Sequence, residues 1–323
     1  MQGFVNKIWY QGHWLQWVLL PLSWLFGLIT VIRVSLFKLG LKKQTQLPVP
    51  VIIVGNITAG GSGKTPMVIY LIELLRSHGY KPGVISRGYG SNAVGEVSVT
   101  NTHSASDVGD EPAMIYQRTK VPFVVGAQRS KAAHQLLNDF DVDIIISDDG
   151  LQHYALGRDI EIAIVDGVRG LGNNRLIPAG PLREPKKRLS SVDFVVVNGG
   201  SSKVHEFSMQ LKPSKPISLC DQSQELCRND VVAFAGIGNP QRFFDTLIQQ
   251  GFELEETVEF EDHQKYTQIQ ISSISDSLPI IMTEKDAIKC KSFAQPNWWY
   301  LPVDAKLPSN FDKELLERLT NKD

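Results

Sequence analysis

Four apolar residues, Val51-Ile-Ile-Val54, run into a glycine-rich stretch, Thr58-Ala-Gly-Gly-Ser-Gly-Lys-Thr-Pro66, and then into a segment of helical periodicity that ends at Gly79. A short apolar run without polar interruption is the mark of a strand buried on both faces, as a parallel sheet requires. The segment after the glycines carries Met67, Leu71, Leu74 and Leu75 at helical spacing. Strand, loop and helix therefore open a βαβ unit. The glycines let backbone N–H groups converge on an anion at the helix N-terminus, which is the geometry of a phosphate cradle. Lys64 supplies a cation long enough to reach β and γ phosphates, and Thr65 a hydroxyl of the kind that holds magnesium. Thr58, Ala59, Gly60, Gly61, Ser62, Gly63, Lys64 and Thr65 are the expected nucleotide contacts. Thr58 stands where the common pattern has glycine, and the strand before and helix after compensate for that departure.

The same grammar repeats downstream. Buried strands are expected at Pro82–Ser86, Val121–Val125, Val142–Ser147, Ile160–Asp166 and Val192–Val197, with helices near Glu111–Arg118 and Arg129–Phe140. This alternation predicts a doubly wound parallel α/β sheet. From about Ser201 to Asp230 the pattern weakens around Pro213 and Pro216, which reads as an extended connector. A second α/β pattern follows, with strands at Val231–Ala235, Pro279–Thr283 and Trp298–Val303 and helices at Pro240–Gln250 and from Asp286. A chain of 323 residues exceeds what one core usually holds. The expected division is 1–46 as an apolar N-terminal helix, 47–205 as the P-loop domain, 206–230 as linker and 231–323 as a smaller α/β domain closing over the cleft.

From Trp14 to Ile32 there are nineteen uncharged residues, close to the ~20 that span a bilayer. Pro21 interrupts the run, and Gln16, Ser23, Gly27 and Thr30 recur along one face. That stripe suits a helix lying in the membrane interface or docked on its own protein. Trp9, Trp14, Trp17 and Trp24 favour the headgroup level, and the first fifty residues carry five basic side chains and no acid. The alternative reading is an ordinary core helix. Net charge is -1 overall, which excludes a surface built to coat nucleic acid, and 42% hydrophobic residues exclude a disordered chain. Cys220, Cys227 and Cys290 lack metal spacing and read as reduced, buried structural thiols.

A phosphate cradle needs an acid at the end of a neighbouring strand to hold magnesium, and Asp148-Asp149-Gly150 follows such a strand. Two adjacent carboxylates repel unless a cation joins them. Asp110 precedes a glutamate and a proline, either as a helix cap or as a carboxylate aimed from the carboxyl end of the sheet. Arg87, Arg129, His153 and Arg183 lie in or near glycine loops, where an arginine fork suits a phosphorylated acceptor or the transferring group. Asn198 ends a strand with an amide suited to reading a nucleotide base, or simply forms an Asn-Gly turn.

Thr58–Pro66, Arg87–Gly90 (RGYG), Val108–Pro112 (VGDEP), Asp148–His153 (DDGLQH), Pro178–Pro185 (PAGPLREP), Asp262-His263 and Thr283–Lys289 (TEKDAIK) together resemble the tetraacyldisaccharide 4′-kinase family. The resemblance spans nearly the whole chain. It implies an ATP- and magnesium-dependent enzyme that phosphorylates the 4′-hydroxyl of a tetraacyldisaccharide 1-phosphate in lipid A biosynthesis. It implies a peripheral or monotopic protein at the cytoplasmic face of the bacterial inner membrane, with no nucleic acid and no obligate protein partner. It implies that Asp110 and His263 form a catalytic pair beside Lys64, and that metal is held by Thr65 with Asp148, Asp149 or Glu184, leaving open which acid touches it. Leu151 departs from a frequent aromatic, which alters packing. The competing function is a membrane-associated P-loop ATPase that switches a partner protein.

Overall fold

The computed structural model describes residues 2–200, 202–262, 264–275 and 277–320. Three helices open the chain, α1 (Gln2–Tyr10), α2 (Leu15–Val18) and α3 (Leu20–Lys38). Pro21 sits in the first turn of α3, where its missing N–H costs no hydrogen bond. The expected interruption of one apolar run is thus a boundary between two helices.

The body continues with β1 (Val51–Gly55), α4 (Lys64–Ser77), β2 (Pro82–Ser86), β3 (Val97–Ser98), α5 (Ala105–Val108), α6 (Asp110–Thr119), β4 (Phe123–Val125) and α7 (Arg129–Asp139). Next come β5 (Ile144–Asp148), β6 (Ile160–Asp166), β7 (Phe194–Asn198), β8 (Phe207–Pro213) and β9 (Ile217–Ser218). The remainder comprises β10 (Asp230–Ala235), α8 (Pro240–Gln249), β11 (Glu253–Glu259), α9 (Gln268–Ser272), β12 (Ile280–Thr283), α10 (Glu284–Cys290), β13 (Trp298–Leu301), β14 (Val303–Lys306) and α11 (Ser309–Thr320).

Nine strands form one sheet in the order β14-β8-β7-β6-β1-β5-β2-β4-β3. The seven inner strands are parallel, and antiparallel β14 and β3 close the two edges. β1 lies between β5 and β6, so chain order reverses there and a crevice opens beyond its carboxyl end. Alternate side chains of β1 serve opposite faces. Ile52 and Val54 pack with α4 and α11 residues such as Leu71 and Phe311, while Val51 and Ile53 pack with Leu136 of α7 and with Leu151. A second sheet runs β11-β10-β12-β13-β9 with its own two apolar layers.

The structure differs from expectation mainly in the connector and at the C-terminus. β8 pairs with β7 in the large sheet, and β9 pairs with β13 in the small one, so Phe207–Pro213 and Ile217–Ser218 of the expected connector are strand. The single strand expected at Trp298–Val303 breaks at Pro302, which has no N–H for a ladder. β14 then returns to β8, and Phe311, Leu315 and Leu319 of α11 pack into the large core. Residues 303–320 therefore belong with the large sheet rather than with the smaller unit. Cys290 is buried as expected, but Cys220 and Cys227 are exposed, and none is disulfide-bonded among the described residues.

Helix α3 presents an inverted amphipathic pattern. Ser23 and Gly27 face inward. Ser23 Oγ donates to Leu176 O at 2.8 Å and accepts from Ala179 N at 2.9 Å, and Asn173 Nδ2 donates to Gln16 Oε1 at 3.0 Å. A Cβ on Gly27 would meet Leu176 Cδ1 at 2.7 Å, so the bare glycine lets the Leu176 side chain lie directly on the helix. The apolar side chains of α3 point the other way: Leu22, Trp24, Leu25, Leu28 and Ile29 are all more than half exposed, as are Trp14 and Trp17 at α2 before it. Only 6% of the apolar window in α3 is buried, which rules out the core-helix reading.

Candidate active site

The glycine loop leaves β1 and is held from three sides. Asn56, fully buried, donates through Nδ2 to Gly60 O at 3.2 Å and Ser62 Oγ at 3.1 Å. Ala59 N donates to Pro181 O at 2.8 Å. Asn198 Nδ2 donates to Ser62 O at 3.0 Å, and its Oδ1 accepts from Arg242 Nη2 at 3.0 Å. The Asn198 amide thus braces the loop through Nδ2 and meets Arg242 of the smaller unit through Oδ1, with one donor and one acceptor site left at its edge. Gly63 is left-handed at φ +93°, and a Cβ there would lie 2.3 Å from Asn198 Nδ2. The loop can therefore tighten into α4 only with glycine at that position.

Register sets Val54 beside Asp148 at the end of β5. Asp148 is buried, and its Oδ1 has no hydrogen-bond partner among the described residues. Burial pushes its carboxyl up to about 7, Glu111 and Asp149 add to the rise, and Lys64 and Arg129 oppose it. Asp149 is only partly buried, and Lys64 and Arg183 outweigh that burial and hold its carboxyl below the usual range. Lys64 Nζ lies 3.6 Å from Asp149 Oδ1, and Arg183 Nη1 donates to both Asp149 oxygens at 3.0 and 3.1 Å. The two adjacent acids are thus shifted in opposite directions, because Asp148 is the more deeply buried and Asp149 lies closer to Lys64 and Arg183.

Arg129, at the start of α7, is buried and donates to Asp148 O at 3.0 Å and Gly126 O at 3.2 Å. Its pKa falls to about 10, first through burial, and also through the nearby Arg87. Burial, then Arg129, Arg87 and Arg33, lower His153 to about 4, so that ring is neutral at physiological pH. Glu184 is also buried, but its oxygens accept from Gln152 Nε2 at 2.7 Å and Tyr154 Oη at 2.5 Å, with Arg188 Nε at 3.3 Å. Of the three acids expected near metal, Asp148 and Asp149 are brought to the loop, and Glu184 is engaged by neighbours that the sequence did not single out.

Asp110 is the first residue of α6, after Gly109 at φ +100°. His263 lies outside the described residues. Beside Asp110, Lys285 Nζ lies 3.3 Å from Glu111 Oε1 and 3.1 Å from Asp262 Oδ1. Behind them, fully buried Asp286 accepts from Gly236 N, Thr283 Oγ1 and Tyr266 Oη at 3.0, 2.6 and 2.9 Å. Neither Asn56 nor Lys285 stands out as a site residue in the sequence. Asn56 carries a signal all the same, as a polar residue between a buried strand and a glycine loop.

These elements enclose one cleft of about 1140 Å³. It extends from Phe26, Ile29 and Arg33 on α3 to Gly60–Thr65, and on to Asp262 and Lys285 of the smaller unit. Arg87, Arg129, His153 and Arg183 all line it.

A family model described as tetraacyldisaccharide-1-P 4′-kinase matches residues 15–320. A protein from Shewanella frigidimarina named tetraacyldisaccharide 4′-kinase is 63% identical over 322 residues, covering 99% of this chain and 96% of that protein. One of the same name from Shewanella oneidensis is 60% identical over 321 residues, covering 99% of this chain and 96% of its own. The solved structure of LpxK from Aquifex aeolicus in complex with ATP is similar at a TM-score of 0.79 and 29% identity, covering 94% of this chain and 99% of that one.

Proposed function

The chain belongs to the tetraacyldisaccharide 4′-kinase family, and from that premise we propose that it transfers the γ-phosphate of ATP to the 4′-hydroxyl of a tetraacyldisaccharide 1-phosphate. One observation carries the reading: a single cleft joins an outward-facing apolar helix to a phosphate loop. An acylated sugar can keep its chains against α3 and still present a hydroxyl near Lys64. The alternative, an ATP-driven switch for a partner protein, is not favoured by the family.

In this reading the loop amides from Thr58 to Thr65 and the Lys64 ammonium hold the phosphates. Thr65, Asp148 and Asp149 are the residues that would hold Mg2+. The pair fits a divalent cation because Asp148 is buried, has an oxygen without a partner among the described residues, and resists ionising without added positive charge. Bound there, the cation supplies charge neutralisation for the transferring phosphoryl group. Glu184 supports this region through Gln152 and Tyr154. Asp110, oriented by His263, takes the proton of the 4′-hydroxyl as its oxygen attacks the γ-phosphorus and ADP departs. Arg87, His153 and Arg183 line the part of the cleft open to the acceptor and the transferring group, and buried Arg129 backs them while bonded to Gly126 O and Asp148 O. Asn198 contributes to the nucleotide site by bracing Ser62.

We place the protein at the cytoplasmic face of the inner membrane, with exposed Trp14, Trp17 and Trp24 at the headgroup level and α3 lying in the interface. The unit around β10–β13 closes over the large sheet and completes the site. Lys64→Ala and Thr65→Ala should each lose at least about a hundredfold in kcat while keeping the wild-type circular dichroism spectrum. Near-normal turnover in either variant removes the loop from the mechanism.

A further inference from the structure

Helices α6 and α10 lie side by side and come from different units of the fold, α6 from the large sheet and α10 from the small one. Their contact is ionic at both ends. At the far end Arg118 Nη1 donates to Glu284 Oε2 at 3.0 Å and to Val303 O at 3.0 Å, and its Nη2 pairs with Asp304. At the near end Lys285 pairs with Glu111 at 3.3 Å and with Asp262 at 3.1 Å. A ten-residue helix such as α6 is about 15 Å long, so anchoring both ends fixes its direction as well as its position.

The near end is the one that matters for chemistry, because Asp110 is the residue next to Glu111 and begins the same helix. Lys285 is largely buried. The charges facing it are Asp110 and Glu111 on α6 and Asp262 on the smaller unit, with Glu284 and Asp286 as its neighbours along α10. One ammonium therefore gathers carboxylates from both sides of the cleft. Without it, three acids would crowd one corner of a partly dry site and push the units apart.

We propose that Lys285 is a positioning residue for the phosphoryl transfer: its bridge from Asp262 to Glu111 holds the first turn of α6, and with it Asp110, in register with the cleft. The inference rests on the reading of Asp110 as the base.

The test is steady-state kinetics of the full chain with ATP, Mg2+ and tetraacyldisaccharide 1-phosphate in detergent micelles. Lys285→Met should lower kcat by about 10- to 100-fold and leave the KM for ATP within about threefold, since the phosphate loop is untouched. Lys285→Arg, which keeps the charge, should recover most of the loss. In an Asp110→Asn background the same Lys285→Met change should cost less than about threefold, because the residue acts through Asp110. Should Lys285→Met not fold, Glu111→Gln breaks one arm of the bridge and is expected to lose about 3- to 10-fold in kcat with the same ATP KM. An unchanged kcat, a loss confined to KM, or a full multiplicative loss on top of Asp110→Asn overturns the proposal alone. Near-normal rates in Asp110→Asn overturn the base reading, and this inference falls with it.

Discussion

Asp148→Asn should abolish transfer and yet make the metal-free protein more stable at alkaline pH. The reason lies in the carboxyl's surroundings. Burial, with Glu111 and Asp149 adding, raises Asp148 from 3.8 to about 7. The folded state therefore favours the protonated acid. That contribution is complete below pH 3.8 and is lost as pH rises through about 7. A tenfold change in proton affinity is worth about 1.4 kcal/mol, so ionised Asp148 costs at most about 4 kcal/mol in the metal-free fold. Among the described residues the side chain makes one hydrogen bond, from Ser86 Oγ at 3.4 Å, and the attraction of Lys64 and Arg129 for the carboxylate is already contained in the net rise of its pKa. At about 2–4 °C per kcal/mol, metal-free Asp148→Asn should melt several degrees above wild type at pH 8.5, with the gap shrinking below pH 6. Added Mg2+ should raise the wild-type melting temperature and leave the variant nearly unmoved. Scanning fluorimetry at pH 5.5 and 8.5, with EDTA or Mg2+, provides the comparison. A variant that melts below wild type at pH 8.5 in EDTA would refute the strain assigned to this carboxylate.

Gly63→Ala forces a Cβ to within 2.3 Å of Asn198 Nδ2 at a left-handed φ; the expected result is a rise of at least about tenfold in the KM for ATP, checked by initial rates, and an unchanged KM would contradict the close approach. Ser23→Val leaves Leu176 C=O and Ala179 N–H without their shared partner and should destabilise the chain by about 2–4 kcal/mol in a denaturant melt; a midpoint equal to wild type would show that α3 is not seated by this hydroxyl. Because burial, then Arg129, Arg87 and Arg33, lower His153 to about 4, its neutral form favours the fold, and that stability is present above pH 6.5 and lost as pH falls toward 4. His153→Gln should flatten the decline of stability between those pH values, and an equally steep decline would count against it.

What the sequence made legible follows from how each element is buried. β1 and β5 open with unbroken apolar runs, Val51–Val54 and Ile144–Ile146, because both faces of an inner parallel strand are covered. β11 reads ELEETVE and lies at a sheet edge with most side chains in solvent, so composition conceals it. In β8, Phe207, Met209 and Leu211 alternate with polar residues, a strand signal masked by flanking turn formers. Phe311, Leu315 and Leu319 carry the helical period of α11, but nothing local says that they return to the first core. The same limit applies at the site. Gln152 and Tyr154 meet Glu184, and Ser62 meets Asn198, across 30 to 136 residues of chain. Motifs name such side chains one at a time, and only the folded register shows which are already engaged.

The central claim is that one cleft carries phosphate from ATP to a lipid-borne hydroxyl. The most direct measurement supplies γ-labelled ATP and Mg2+ to the purified chain, with and without tetraacyldisaccharide 1-phosphate, and separates lipid from free phosphate. The label should appear on the lipid, at the 4′ position, with little free phosphate in the acceptor's absence. Label released as free phosphate at the same rate with or without the acceptor, and none on the lipid, would contradict the account.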